Sequence, residues 1–113
     1  MNKTQKQILS VFPNLWKQTI TEYNKIISKK GYGPTESYEK ALNTERPFWY
    51  TAGDIFCGEH EQYNSKPVFS VKKQSVANNL KKLADMGILR KRWRYVVYYH
   101  DGHWEYLYDP VGE

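Results

Sequence analysis

The stretch from Ser70 to Arg94, SVKKQSVANNLKKLADMGILRKRWR, constrains the fold more than any other part of the chain. Its spacing predicts one helix over residues 70–86, a tight stop, and a strongly basic strand. Ser70 is suited to cap the helix by accepting a hydrogen bond from a free backbone N–H. Gly87 supplies the positive-φ residue at which helices often end. Val76, Leu80 and Leu83, with Ala77 and Ala84 beside them, fall on one face at about 100° per residue. The opposite face carries Gln74, Ser75, Asn78, Lys81 and Lys82. Across the stretch, Lys72, Lys73, Lys81, Lys82, Arg90, Lys91, Arg92 and Arg94 stand against Asp85 alone.

Such a helix has two readings. It can be an ordinary surface helix with a solvated polar side. It can also lie in the major groove of DNA, where Asn and Gln pair with adenine, Ser bonds either kind of base, and Lys reaches guanine or phosphate. The segment C-terminal to the helix favours the second reading. Arg90 to Asp109, RKRWRYVVYYHDGHWEYLYD, reads as a β-hairpin. Asp101-Gly102 is a two-residue turn signal, because both central residues of a type I′ turn need positive φ. A turn there places His100 opposite His103, Tyr99 opposite Trp104, Val96 opposite Leu107, Tyr95 opposite Tyr108 and Arg94 opposite Asp109. One face then collects Trp93, Tyr95, Val97, Tyr99, Trp104, Tyr106 and Tyr108. The other face collects Arg92, Arg94, Val96, Tyr98, Glu105, Leu107 and Asp109. The Trp and Tyr side chains have two readings: stacking on single-stranded bases, or, as is usual for aromatic strands and expected here, a core face with a half-buried outer face behind it.

A polar-faced helix, a Gly-Ile-Leu stop and a basic hairpin together resemble the winged helix-turn-helix DNA-binding domain. The pattern QSVANNLKKLADMGILRKRWR is similar to the recognition helix and wing of transcription regulators of the MarR and arsenic-sensor types, over about Tyr50 to Asp109. The resemblance implies an α+β fold: N-terminal helices, a helix-turn-helix, and a C-terminal hairpin wing (89–109) joined by a short third strand. It also implies that the helix over 70–86 enters the major groove while the hairpin flanks it. The hairpin tip is His-Asp-Gly-His, where many wings carry Arg or Lys. The basic residues lie at the base of the first strand instead, which points to phosphate contacts there.

At 113 residues the chain is long enough for one domain with a modest core. The expected division is an N-terminal helical extension, 1–47, and a winged-helix core, 48–109. Apolar residues Ile8, Leu9, Val11 and Phe12 form a short patch that Pro13 interrupts. Asn14 to Lys30 reads as a helix, with Leu15, Trp16, Thr19, Ile20, Tyr23, Ile26 and Ile27 on one stripe. That stripe either packs on the domain's own core or forms a homodimer through Trp16, Ile20, Tyr23 and Ile27. Gly31 to Pro34 is a breaker cluster, and a short helix capped by Thr35 or Ser37 turns Tyr38, Ala41 and Leu42 inward. Phe48-Trp49-Tyr50 reads as a strand. Thr51 caps a following helix that carries Asp54 in its first turn and Ile55 and Phe56 toward the core. The link from Cys57 to Phe69 is longer than the three or four residues of a standard helix-turn-helix: either the helix continues to about His60 and a loop follows, or a small insertion is present, and Tyr63, Lys66 and Phe69 offer a contact surface.

Cys57-x-x-His60 and His100-x-x-His103 supply ligand types that zinc takes. The spacing arises readily by chance, and Cys57 continues the Ile55-Phe56 apolar run, where Cys packs as a small hydrophobe. No metal or other cofactor is expected. No nucleophile, base and orienter assemble, and there is no Gly-rich phosphate loop or HExxH, so no enzyme is expected. A single Cys, no apolar run of membrane-span length and no leader pattern lead to an expectation of a cytoplasmic protein without a membrane partner. The net charge of +5 favours an anionic partner.

The leading expectation is a small prokaryotic, phage or archaeal-virus regulator that binds double-stranded DNA. Gln74, Ser75, Asn78 and Lys82 would read bases. Lys72, Lys73, Lys81, Arg90, Lys91, Arg92 and Arg94 would hold phosphates. The alternative is a winged-helix module for protein–protein contact in a replication or host-takeover complex. The state of Lys81 and Lys82 separates the two, because lysines committed to intramolecular carboxylates would remove support for DNA.

Overall fold

In the computed structural model of the chain, residues 1–29, 48–60, 66–96 and 101–108 are described. They form helix α1 (Lys3–Lys29), strand β1 (Tyr50–Thr51), helix α2 (Ala52–Cys57), helix α3 (Lys73–Asp85) and strands β2 (Leu89–Val96) and β3 (Asp101–Tyr108). The fold is α+β: the described residues form three helices and a three-stranded antiparallel sheet in the order β1-β3-β2.

Helix α1 runs through Pro13, where the sequence pattern predicted an interruption. Pro13 lacks an N–H for the carbonyl four residues back and sits on the exposed side. Ile8, Phe12 and Leu15 continue one stripe across it and are fully buried. Burial of each contributes about 1.5–3 kcal/mol, against about 3 kcal/mol for an interior proline, so packing carries the helix past it. The helix begins with a capping box. Asn2 Oδ1 accepts from the Gln5 amide at 2.8 Å, and Gln5 Oε1 accepts from the Asn2 amide at 3.2 Å. Trp16 packs inward, stacked on Tyr108 with ring centroids 6.1 Å apart, while Ile20 is exposed. Tyr23 and Ile27 lie on α1, but their side chains are outside the described set, as is the expected short helix over 35–42.

Thr51 caps α2 as expected, again through a capping box. Its hydroxyl accepts from the Asp54 amide at 3.1 Å, and its own amide donates to Asp54 Oδ2 at 3.2 Å. The helix stops at Cys57, with Gly58 in the left-handed region. The long link then folds back. The Val68 amide donates to the Phe56 carbonyl, and Phe69 stacks on Phe56. Tyr63 lies outside the described residues.

Ser70 does not cap α3. The helix begins at Lys73, Lys72 is the cap residue, and no side chain bonds to the free amides. The link remains irregular through 70–72 because Phe69 and Val71 are drawn into the apolar cluster. The stop is at Gly87 (φ 77) as expected. Ile88 N–H bonds to Leu83 O and Gly87 N–H to Ala84 O, both at 3.0 Å, which makes a Schellman closure. Val76, Leu80 and Leu83 are fully buried. They share one apolar cluster with Ile8, Phe12 and Leu15 of α1, Tyr50, Ile55, Phe69, Leu89 and Tyr106. Helix α1 is therefore part of the same core as the sheet.

The hairpin register differs from the expected one. Arg94 faces His103, Trp93 faces Trp104, Arg92 faces Glu105 and Val96 faces Asp101. Asp101 and Gly102 lie inside β3, and the connection falls at residues 97–100, outside the described set. In the observed pairing Glu105 lies between Arg92 and Arg94, and the two tryptophans meet. Those non-local contacts outweigh the turn preference of an Asp-Gly pair. The displacement is an even number of residues, so the paired residues of β2 and β3 keep their predicted faces although they change partner. Strand β1 adds to β3 with Tyr50 opposite Tyr106, so the expected third strand is present as two residues.

The predicted core face is only half core. Tyr106 is buried and Tyr108 packs on Phe12 and Trp16. Trp93, Tyr95 and Trp104, further along the hairpin, are exposed. On the other face Glu105 and Leu107 are buried, where an outward position was expected.

Candidate nucleic-acid interface

Helix α3 divides its side chains as its periodicity requires. Gln74, Asn78, Lys81 and Lys82 are exposed, Ser75 is half-buried, and Lys72 and Lys73 are exposed at the start. Gln74 Nε2 donates to Asn78 Oδ1 at 3.0 Å, so the two amides are aligned one turn apart on the outer face. No carboxylate among the described residues pairs with Lys72, Lys73, Lys81 or Lys82. The uncapped amides add partial positive charge at the end that bears Lys72 and Lys73.

Asn79 was not singled out by sequence, since it sits among polar neighbours. It points inward instead. Its Oδ1 accepts from Asn2 Nδ2 at 3.1 Å and Gln5 Nε2 at 3.2 Å, and its Nδ2 donates to Ser75 O at 2.8 Å. The start of α1 is thereby tied to the middle of α3, which fixes how far the polar face projects. The Asn2-x-x-Gln5 spacing was the available signal for a helix start there.

The basic strand follows α3 directly through the Gly87 closure and is an edge of the sheet. Arg90, Lys91, Arg92 and Arg94 are all exposed. Two of them are also anchored. Arg92 Nε donates to Glu105 Oε2 at 2.9 Å, and Arg94 Nη1 donates to Glu105 Oε1 at 3.1 Å. His103 Nε2 lies 3.6 Å from the same Oε1. The Arg92 guanidinium also lies over the Trp49 ring, 4.5 Å from its centroid. Burial pushes the Glu105 carboxyl up, but hydrogen bonds from Arg94 and Arg92 and their charges prevail and hold it below its usual range. One carboxylate thus orients two guanidiniums and leaves them a net positive charge, with other N–H groups still open to solvent. Glu105 was expected on the solvent side, and nothing local in the sequence marks it as an anchor.

A second cluster braces α2 against α1. Gln18 Nε2 donates to Gly58 O and its Oε1 accepts from the His60 amide, both at 3.0 Å. His60 Nδ1 is 2.9 Å from Glu22 Oε2. The Thr19 hydroxyl donates to Leu15 O at 3.0 Å, so the Tyr50 phenol donates to Thr19 Oγ1 at 2.8 Å. Burial holds that phenol far above its ordinary pKa. Burial also raises Asp54.

The possible metal ligands do not form a site among the described residues, where no three His, Cys, Asp or Glu side chains could hold an ion. His60 is engaged with Glu22 and His103 lies beside Glu105. Cys57 is half-buried at the end of α2, and His100 is outside the described set. No helix among the described residues is long and apolar enough to cross a membrane. The chain matches no family model, no curated protein and no solved structure.

Proposed function

We propose that the chain is a winged-helix protein that binds double-stranded DNA, a small regulator of prokaryotic, phage or archaeal-virus type. Helix α3 enters the major groove in this reading, with Gln74, Ser75, Asn78 and Lys82 toward base edges. Lys72, Lys73, Lys81 and the β2 cations Arg90, Lys91, Arg92 and Arg94 lie along the phosphates. One observation carries the reading: Lys81 and Lys82 are exposed beside Gln74 and Asn78, and no described carboxylate pairs with either. Strand β1 supports the winged-helix plan by joining the hairpin as its third strand.

The homodimer through Trp16, Ile20, Tyr23 and Ile27 belongs to the same proposal. Of these, Trp16 is stacked on Tyr108 and Ile20 is exposed, while the side chains of Tyr23 and Ile27 lie outside the described set. A protein-binding module is the competing reading, favoured by the partial neutralisation of Arg92 and Arg94 on Glu105.

The test is anisotropy of a labelled random duplex titrated at several salt concentrations. A log–log slope of about −0.9 per phosphate contacted is expected. Absence of binding at low salt rejects the duplex reading in favour of a protein partner.

A further inference from the structure

The outer part of the hairpin carries an aromatic surface that the core does not use. Trp93, Tyr95 and Trp104 share one face of β2 and β3 and are 54%, 56% and 45% exposed. Their neighbours on that face nearer the base, Leu89 and Tyr106, are buried.

The two indoles are held in place. Trp93 and Trp104 meet edge to face across the strands, with centroids 5.1 Å apart and planes at 75°. The Trp93 ring also occupies the space that a side chain at position 102 would need. A Cβ on Gly102 would collide with Trp93 Cζ2. Gly102 is thus the close approach that lets the indole settle over β3. Rings already held in place lose little conformational freedom when a flat ligand stacks on their exposed surface.

The surroundings select the ligand. Lys91 lies on the same face, its Nζ 5.0 Å from the Trp104 centroid. Arg90, Arg92 and Arg94 alternate onto the opposite face of the same edge strand, where the buried Glu105 carboxylate is already held by two of them, so Lys91 is the β2 cation that shares the aromatic face. Exposed rings with a lysine among them complement an anionic chain that carries flat apolar groups.

We propose that this face of the hairpin binds single-stranded nucleic acid, with unpaired bases stacked on Trp104, Trp93 and Tyr95 and phosphates held by Lys91. The proposal goes beyond the duplex reading and does not require α3 to enter a groove. A strand bound here would lie along the hairpin, and the stacking would be tolerant of sequence because every base has a π face.

The experiment compares three labelled ligands with the full chain at one salt concentration. They are a thymidine strand of about 15 nucleotides, an abasic strand of equal length, and a blunt duplex. The thymidine strand is expected to bind at least about tenfold tighter than the abasic strand. Trp104→Leu should weaken thymidine binding about five- to a hundredfold, the range for loss of one stacked base. It should leave the abasic strand and the blunt duplex within about twofold, and Trp104→Phe should restore most of the loss. Tyr95→Leu, read against the same ligands with circular dichroism as a folding control, covers the case in which Trp104→Leu unfolds. Equal affinity for thymidine and abasic strands overturns the proposal, as does a thymidine preference untouched by both Leu variants. Loss of duplex binding alone rejects the role of α3 and leaves this site standing.

Discussion

Glu105 shows how much one side chain organises. It is 3% exposed, yet it stays ionised because Arg94 and Arg92 donate to it. Its folded pKa lies below its ordinary 4.5, so the folded chain takes up that proton less readily than the unfolded chain. The stabilisation is intact above the ordinary value and is lost as pH falls through the lowered one. Asp54 has the opposite sign: its raised pKa means that its ionised form opposes folding and acid relieves it. Glu105→Gln should lose about 1–2 kcal/mol at neutral pH, since two charge-assisted bonds to half-exposed arginines are weakened. Its melting midpoint should then fall less than the parent's between about pH 5 and pH 3. Parallel curves in thermal melts would show that the cluster contributes nothing to acid sensitivity. The same residue accounts for a limit on the basic strand, because Arg92 and Arg94 were legible as cations but their shared anchor was not.

Helices α1 and α3 invite tests of backbone chemistry. Gly87 sits at φ 77 with nothing within 4 Å of where a Cβ would be. Gly87→Ala should therefore lose about 1–2 kcal/mol through the left-handed conformation alone. Gly87→Asn should lose less, since Asn tolerates that region. Urea midpoints order the three proteins, and an Ala variant as stable as the parent would mean that α3 can close in another way. Pro13 tests the opposite case. It is exposed within α1, so Pro13→Ala returns a helical hydrogen bond without disturbing the core. A gain of up to about 3 kcal/mol is expected in the same titration. A loss would show that the helix needs the bend that proline imposes.

For the whole molecule, the arrangement of charge predicts how the proposed DNA binding would divide. Lys81→Ala should reduce the steepness of the salt dependence by about one phosphate contact, whereas Lys82→Ala should weaken binding to a preferred sequence selectively. Arg92→Ala should also release Glu105 and Trp49, so its effect on stability should exceed that of either lysine variant. Salt titrations paired with thermal melts separate these outcomes, and lysine variants that bind every duplex like the parent would place any DNA contact elsewhere. The sequence alone determined the parts whose causes lie within a few residues. These are the two faces of α3, the stop at Gly87, the Thr51–Asp54 cap and the alternation of the hairpin. Each depends on bonds or periodicity spanning one to five positions. Tertiary structure decided the rest: the unbroken α1, the start of α3 at Lys73, the pairing of Trp93 with Trp104, and the exposure of the hairpin's outer aromatics. Those outcomes depend on partners far apart in the chain, such as Leu15 beyond a proline, Glu105 between two arginines and Asn2 on Asn79. No local preference encodes which distant side chain will fill the space or neutralise the charge.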